Sequence, residues 1–408
     1  MSRFTCRDPG ATPHPDRLHG GGTGRRLTTA CVAALVLAAG CAEQGSPATT
    51  GGSATGSAAT VTGTAAMVAG SGGSPTGAAA AVGHGSPHVL PLASDWLADG
   101  IHLSVRAAGG APVTMLVDTG SNGVVISRQY LGDDWSPLQP RQTFSGFTYS
   151  SSGMHYSGEW VRTTLQFSST TDAAGGPATT SPILVRAVDR VCDAHGSCSP
   201  SARVAMLGVG FDRGSDNPDS TYSGPAINPF LHLADMDAGQ LTPGYVLGSG
   251  TVTLGIGQDT ADGFRTVGLQ RTGGSQSADW AAPSACLAVR GLPAQCGSLL
   301  LDTGLPYAIV QVPAGVDPPT TASRTGGRPS VAAGQQIQVG LPALGGAPIY
   351  SFTVGGPDAP RSVQWGHNLA ENGDSSFFNI SRWALSQVDY LYDAGSGALG
   401  FRATTPAG

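Results

Sequence analysis

Lysine is absent from this 408-residue chain and glutamate occurs only 3 times, so arginine carries the positive side-chain charge and aspartate nearly all the negative. Charged residues make up 12% of the whole and the net charge is −6, a balance that offers no basic patch for a nucleic-acid backbone. Long apolar runs are also scarce. The one near the N-terminus, residues 30–39, falls well short of the roughly 20 residues that a membrane-spanning helix needs. Windows with helical amphipathic spacing are few, whereas short Val/Leu/Ile/Thr runs broken by 61 Gly and 29 Pro are many, which makes the folded part mostly β. The chain has no Gly-x-Ser-x-Gly, no His-Glu-x-x-His and no P-loop, which removes the serine-elbow, zincin and phosphate-cradle readings. Gly208-Val209-Gly210 lacks the third glycine and the following helix of a dinucleotide fingerprint.

What is present begins with a targeting pattern. Arg25-Arg26 precede the apolar run, which ends at Gly40-Cys41. A positive region, a short apolar region and small residues predict a secretory signal over residues 1–41. Its end, Leu37-Ala38-Ala39-Gly40-Cys41, resembles a lipobox, with Ala38 where a larger aliphatic is usual, and this implies lipidation at Cys41. Residues 42–88 are Ala/Gly/Ser/Thr/Pro with almost no charge, a composition that cannot bury enough surface to fold and predicts a flexible tether. The chain is therefore expected to be exported to the cell envelope, anchored to the membrane by lipid or secreted.

Of the 7 cysteines, Cys6, Cys31 and Cys41 belong to the leader, leaving Cys192, Cys198, Cys286 and Cys296. Four cysteines allow three connectivities. Close spacing favours Cys192–Cys198 and Cys286–Cys296, as an oxidising compartment would. His195 with two cysteines is an incomplete metal site, so no metal and no cofactor are expected.

Two stretches organise the remainder: Met115-Leu116-Val117-Asp118-Thr119-Gly120-Ser121 and Leu299-Leu300-Leu301-Asp302-Thr303-Gly304. In each, an apolar run meets Asp-Thr-Gly and a second apolar run follows, so each aspartate stands at the end of a buried strand. A lone buried carboxylate is costly, but two facing each other can share one proton, one serving as base and the other as acid. Such a pair predicts one pKa above and one below that of a free aspartate. Ile101, Leu103 and Val105 alternate into a turn at 108–112 that feeds the first stretch, and residues 144–160 read as a long hairpin with a Gly/Ser tip. His155, His232 and His367 read as surface residues, and Trp160, Trp280, Trp365 and Trp383 as core or cleft wall.

In this order the features resemble the pepsin-like aspartic peptidases, over most of residues 97–403 and nearest to little-studied bacterial members. Gly110-x-Pro112, Asp118–Ser121, the 144–160 hairpin and Met206-Leu207-Gly208 match the first lobe. Residues 248–255 match the junction, and Trp280, a cysteine pair, the second Asp-Thr-Gly and 388–401 match the second lobe. The resemblance implies an all-β, bilobal acid-protease fold with its cleft between two lobes, at 89–249 and 250–403, followed by a tail at 404–408. It implies an endopeptidase in which Asp118 and Asp302 activate a water. Thr119 and Thr303 would brace the loops, Gly120, Ser121 and Gly304 would support the carboxyls, and Tyr149 or Tyr156 would be the tyrosine of the flap. The partner implied is a peptide or protein substrate met by a monomer; the anchor adds a membrane, and nucleic acid is not expected. Three positions depart from the pattern: Leu305 where a hydroxyl supports the second carboxylate, Ser381 in place of a glycine, and Val125 in place of the tryptophan that anchors the flap. They sustain a rival reading, a catalytically weak or inactive protein of this fold acting as a surface binding or adhesion module.

Overall fold

A computed structural model describes residues 85–404, apart from 150–151, 170–176, 201–202, 215–221, 273–278, 324–326, 346 and 368–374. The expected signal, Cys41 and most of the tether lie outside the described residues. The tether's last four residues, 85–88, do not: the Gly85 N–H donates to the Gln240 carbonyl at 2.8 Å, and His88 opens the strand His88–Pro91. Leu90, 1% exposed, anchors that strand in the core, and a four-residue strand is too short for its alternation to stand out in sequence.

The described strands form three sheets. In the eleven-stranded sheet, the strand Val113–Asp118 runs antiparallel to His102–Ala107 and parallel to Ala205–Val209. The next strand, Asn122–Ser127, lies on the far side of Ala205–Val209 and then runs parallel to Ile183–Cys192. All six residues of Asn122–Ser127 are buried, as an apolar run covered on both faces requires. The nine-stranded sheet repeats this order. Gln295–Leu300 runs parallel to Ser376–Asn379, which is antiparallel to Ala308–Val312, itself parallel to Val363–His367. In each sheet the chain leaves one strand, turns through Asp-Thr-Gly, and returns beyond an intervening strand. That crossing brings each aspartate to a strand end rather than into a hairpin.

The six-stranded sheet draws on distant parts of the chain, in the order His88–Pro91, Thr251–Ile256, Thr242–Gly248, Val388–Asp393, Ala398–Ala403, Arg265–Gly268. The expected lobe junction, residues 248–255, is a hairpin turn at 249–250 and the strand that follows it, both inside this sheet. One apolar cluster runs from Leu90 to Phe401 and includes Leu103, Val117, Leu207, Tyr245, Leu301, Phe378 and Tyr392. Phe211 stacks on Tyr392 at 4.5 Å, and Tyr245 donates its hydroxyl hydrogen to the Val209 carbonyl at 2.8 Å, tying the first Asp-Thr-Gly sheet to the six-stranded one. Trp160, Trp280 and Trp365 are buried in the core clusters.

Candidate active site

Both Asp-Thr-Gly loops meet. The Thr119 N–H donates to Thr303 Oγ1 at 3.0 Å, and the Thr303 N–H to Thr119 Oγ1 at 2.9 Å. Each hydroxyl then donates across the junction, Thr303 to the Val117 carbonyl at 2.7 Å and Thr119 to that of Leu301. The four bonds are buried and reciprocal, and they bind segments 184 residues apart. A threonine hydroxyl both accepts and donates, which is what this brace uses.

The brace sets Asp118 and Asp302 side by side, each about 5% exposed. Gly120 backs onto the Asp302 carboxyl and Gly304 onto that of Asp118, so closely that a methyl on either glycine would overlap the opposite carboxyl. The donors are arranged in parallel. The Gly120 N–H donates to Asp118 Oδ1 at 2.8 Å and the Gly304 N–H to Asp302 Oδ1 at 2.9 Å. The Ser121 hydroxyl donates to Asp118 Oδ2. At the matching oxygen of Asp302, where Leu305 brings no hydroxyl, Asn379 Nδ2 donates at 2.7 Å. Asn379 ends the strand parallel to Gln295–Leu300, and its own Oδ1 accepts from the Ser381 N–H at 3.0 Å. Sequence reading missed this residue. The signal was an asparagine inside Phe377-Phe378-Asn379-Ile380, a polar group at an otherwise apolar strand end.

Burial raises both carboxyls, so the expectation that one pKa would fall is not met. For Asp118 burial is the largest influence, opposed by the Ser121 and Gly120 bonds. Asp302 is pushed up to about 7, by burial first and then by the charge of Asp118, against the pull of Asn379. Contact with Asp302 acts the other way on Asp118, easing its ionisation. The pair titrates as a unit, with Asp302 the member that holds the proton.

The hairpin of Thr143–Thr148 and His155–Thr163 reaches this pair through Tyr149, on which the charge of Asp118 acts. Tyr149 begins its tip, where its carbonyl accepts from the Ser152 N–H at 2.9 Å. Burial and the nearby charge of Asp118 raise its phenol well above the ordinary value, and the Ser121 hydroxyl lies close by. Tyr156, the other tyrosine expected there, is buried among Val125, Val188, Val191 and Val204; Tyr149 packs against the same cluster, 5.7 Å from the Tyr156 ring, but only Tyr149 feels the charge of Asp118. Both disulfides form in the expected pairs, Cys192–Cys198 and Cys286–Cys296, each between residues directly opposite in antiparallel strands.

Residues 93–262 match the family model of the PE-PGRS C-terminal aspartyl peptidase-like domain, a span that includes Asp118 and stops before Asp302. Among solved structures the fold is similar to an aspartic proteinase from Irpex lacteus, at 16% identity and a TM-score of 0.50, covering 78% of this chain and 98% of that one. It is also similar to the basic 7S globulin from soybean, at 13% identity and a TM-score of 0.47, covering 79% and 97%. No curated protein matches the sequence.

Proposed function

From a chain with the pepsin-like aspartic proteinase fold, we propose an aspartic endopeptidase that hydrolyses peptide bonds with a water activated between Asp118 and Asp302. One observation carries the reading: two buried carboxyls side by side, each with its own pair of hydrogen-bond donors. Ionised Asp118 takes the proton of the water as it attacks the scissile carbonyl. Protonated Asp302 donates to the developing oxyanion, and the charge moves between the two oxygens without leaving the site. The 143–163 hairpin closes over an extended substrate, with Tyr149 against the pair. The disulfides fit an exported protein, and the lipid at Cys41 and the tether would hold the folded part off a membrane surface.

The test is cleavage of a denatured protein mixture across pH, with and without pepstatin. Activity should rise in acid, fall as pH passes about 7, where Asp302 ionises, and disappear with the inhibitor. Asp118→Asn and Asp302→Asn should each lower kcat by roughly a thousandfold or more, and the double change should cost little beyond either. Proteolysis near the wild-type rate in Asp302→Asn would end this reading and favour the binding module. That rival loses one support already, because Asn379 supplies the hydrogen bond that Leu305 does not.

A further inference from the structure

Arg186 is a charge in the wrong place for a protein that only needs to fold. It sits mid-strand in Ile183–Cys192, 1% exposed, on the face of the sheet under the 143–163 hairpin. In register it lies beside Val125 on one flank and Trp160 on the other. Its guanidinium is sandwiched, with Cζ 4.4 Å from the ring centre of Phe147 and 4.3 Å from that of Trp160. Nη1 donates to the Asn122 carbonyl at 3.3 Å. Nη2 is buried and makes no hydrogen bond among the described residues, and no carboxylate among them pairs with Arg186. Two ring faces attract a cation without neutralising it, so the charge stays uncompensated.

A second orphan lies nearby. The Tyr149 hydroxyl is buried with the Ser121 hydroxyl beside it, and no group among the described residues donates to its oxygen in good geometry. Its ring meets Phe147 edge-on at 5.1 Å, so Phe147 touches the tyrosine and the guanidinium alike. The two unsatisfied groups are complementary: Nη2 can only donate, and a phenol oxygen accepts while still turning its own hydrogen elsewhere. The flat guanidinium suits the slot, because its faces lie against rings while its edge points N–H groups outward. A lysine has no such plane.

We propose that Arg186 is a positioning residue of this site: Nη2 and Tyr149 Oη, unbonded to each other in this structure, pair as donor and acceptor and so fix Tyr149 beside the carboxyl pair. It does the work expected of the aromatic side chain that Val125 replaces. The proposal rests on the peptidase reading for its catalytic consequence, but the link from arginine to hairpin is testable without catalysis. Amide hydrogen exchange across residues 143–163 should be compared in wild type, Arg186→Met, Arg186→Lys, Tyr149→Phe and the Met/Phe double variant. One hydrogen bond's worth of loosening is about tenfold faster exchange at the tip. Arg186→Met and Tyr149→Phe should each show it, the double variant no more than either, and Arg186→Lys should resemble Arg186→Met. Because methionine removes an uncompensated charge and keeps the volume, the melting temperature of Arg186→Met should stay level or rise. A purely structural arginine would lower it.

Against a peptide substrate, Arg186→Met and Tyr149→Phe should lower kcat/KM by the same factor while both limbs of the pH profile stay in place. Unchanged tip exchange in Tyr149→Phe, or additive effects in the double variant, would overturn the link and leave Arg186 acting by ring packing alone. Tyr149→Phe deletes a single oxygen, so it carries the test even where Arg186→Met does not fold. A wild-type protein that cleaves nothing would defeat the peptidase reading and leave the exchange result standing.

Discussion

Asn379 and Ser121 occupy matching places beside Asp302 and Asp118, yet the two donors are not interchangeable. A hydroxyl can reverse its hydrogen bond when its carboxylate gains a proton, whereas an amide nitrogen can only donate. Asn379 therefore always favours the ionised form of Asp302, and burial overrides it. Asn379→Ala should let Asp302 rise further and move the alkaline limb of activity upward by about one pH unit, the worth of a hydrogen bond to a charged group. A pH–rate profile that does not move would assign Asn379 a packing role. Two residues on, Ser381 has a φ of 59°, in the left-handed region that favours glycine. Its hydroxyl accepts from the Trp383 N–H at 3.2 Å, a modest return for the strain. Ser381→Gly should stabilise the fold by about 1 kcal/mol, after subtracting the lost cap and the freer unfolded chain, as read from denaturant melts. The residues of the site within the two Asp-Thr-Gly loops were legible in sequence, since each partner lies within three positions of its aspartate. Asn379 was not, because it stands 77 residues from Asp302 and only strand pairing brings it there.

At the scale of elements, hairpins were the most readable units. Both cysteine pairs close hairpins whose strands are near neighbours in sequence, so spacing alone selected the pairing. Loops this short predict that replacing Cys286 and Cys296 together by alanine costs roughly 2–3 kcal/mol of stability. Chemical denaturation would measure that, and specific activity of the folded fraction should hold because neither sulfur reaches the carboxyl pair. The 143–163 hairpin was equally visible, but which of its tyrosines lies beside the carboxyl pair was not. Tyr149 and Tyr156 lie on either side of one tip, and which of them faces the site depends on the strands' facing rather than on spacing. Both tyrosines touch the cluster around Val125, and only Tyr149 also feels the charge of Asp118.

The whole molecule adds a dependence that no single element has. Asp302 has a folded pKa of about 7 against an ordinary 3.8, so between these values the folded protein binds a proton that the unfolded chain releases. Its contribution to stability is thus fully present below about pH 4 and is lost as pH rises through 7. Melting temperatures compared at pH 5 and pH 8 should fall more steeply for wild type than for Asp302→Asn, and equal slopes would contradict the assignment. Least legible in sequence was the six-stranded sheet. Its strands read individually as short apolar runs, but residues 88–91 reach it from the start of the folded region and 388–403 from the end. Nothing in local pattern announces such pairings. The carboxyl pair, like this sheet, waits on distant parts of the chain. Val388–Asp393 lies against Thr242–Gly248, and Thr119 has no brace until Thr303 arrives. A chain still emerging from the ribosome therefore holds two isolated aspartates and no acid–base couple. The carboxyl pair is thus a property of the finished chain, absent until residues 301–304 have been made and have folded against 117–120.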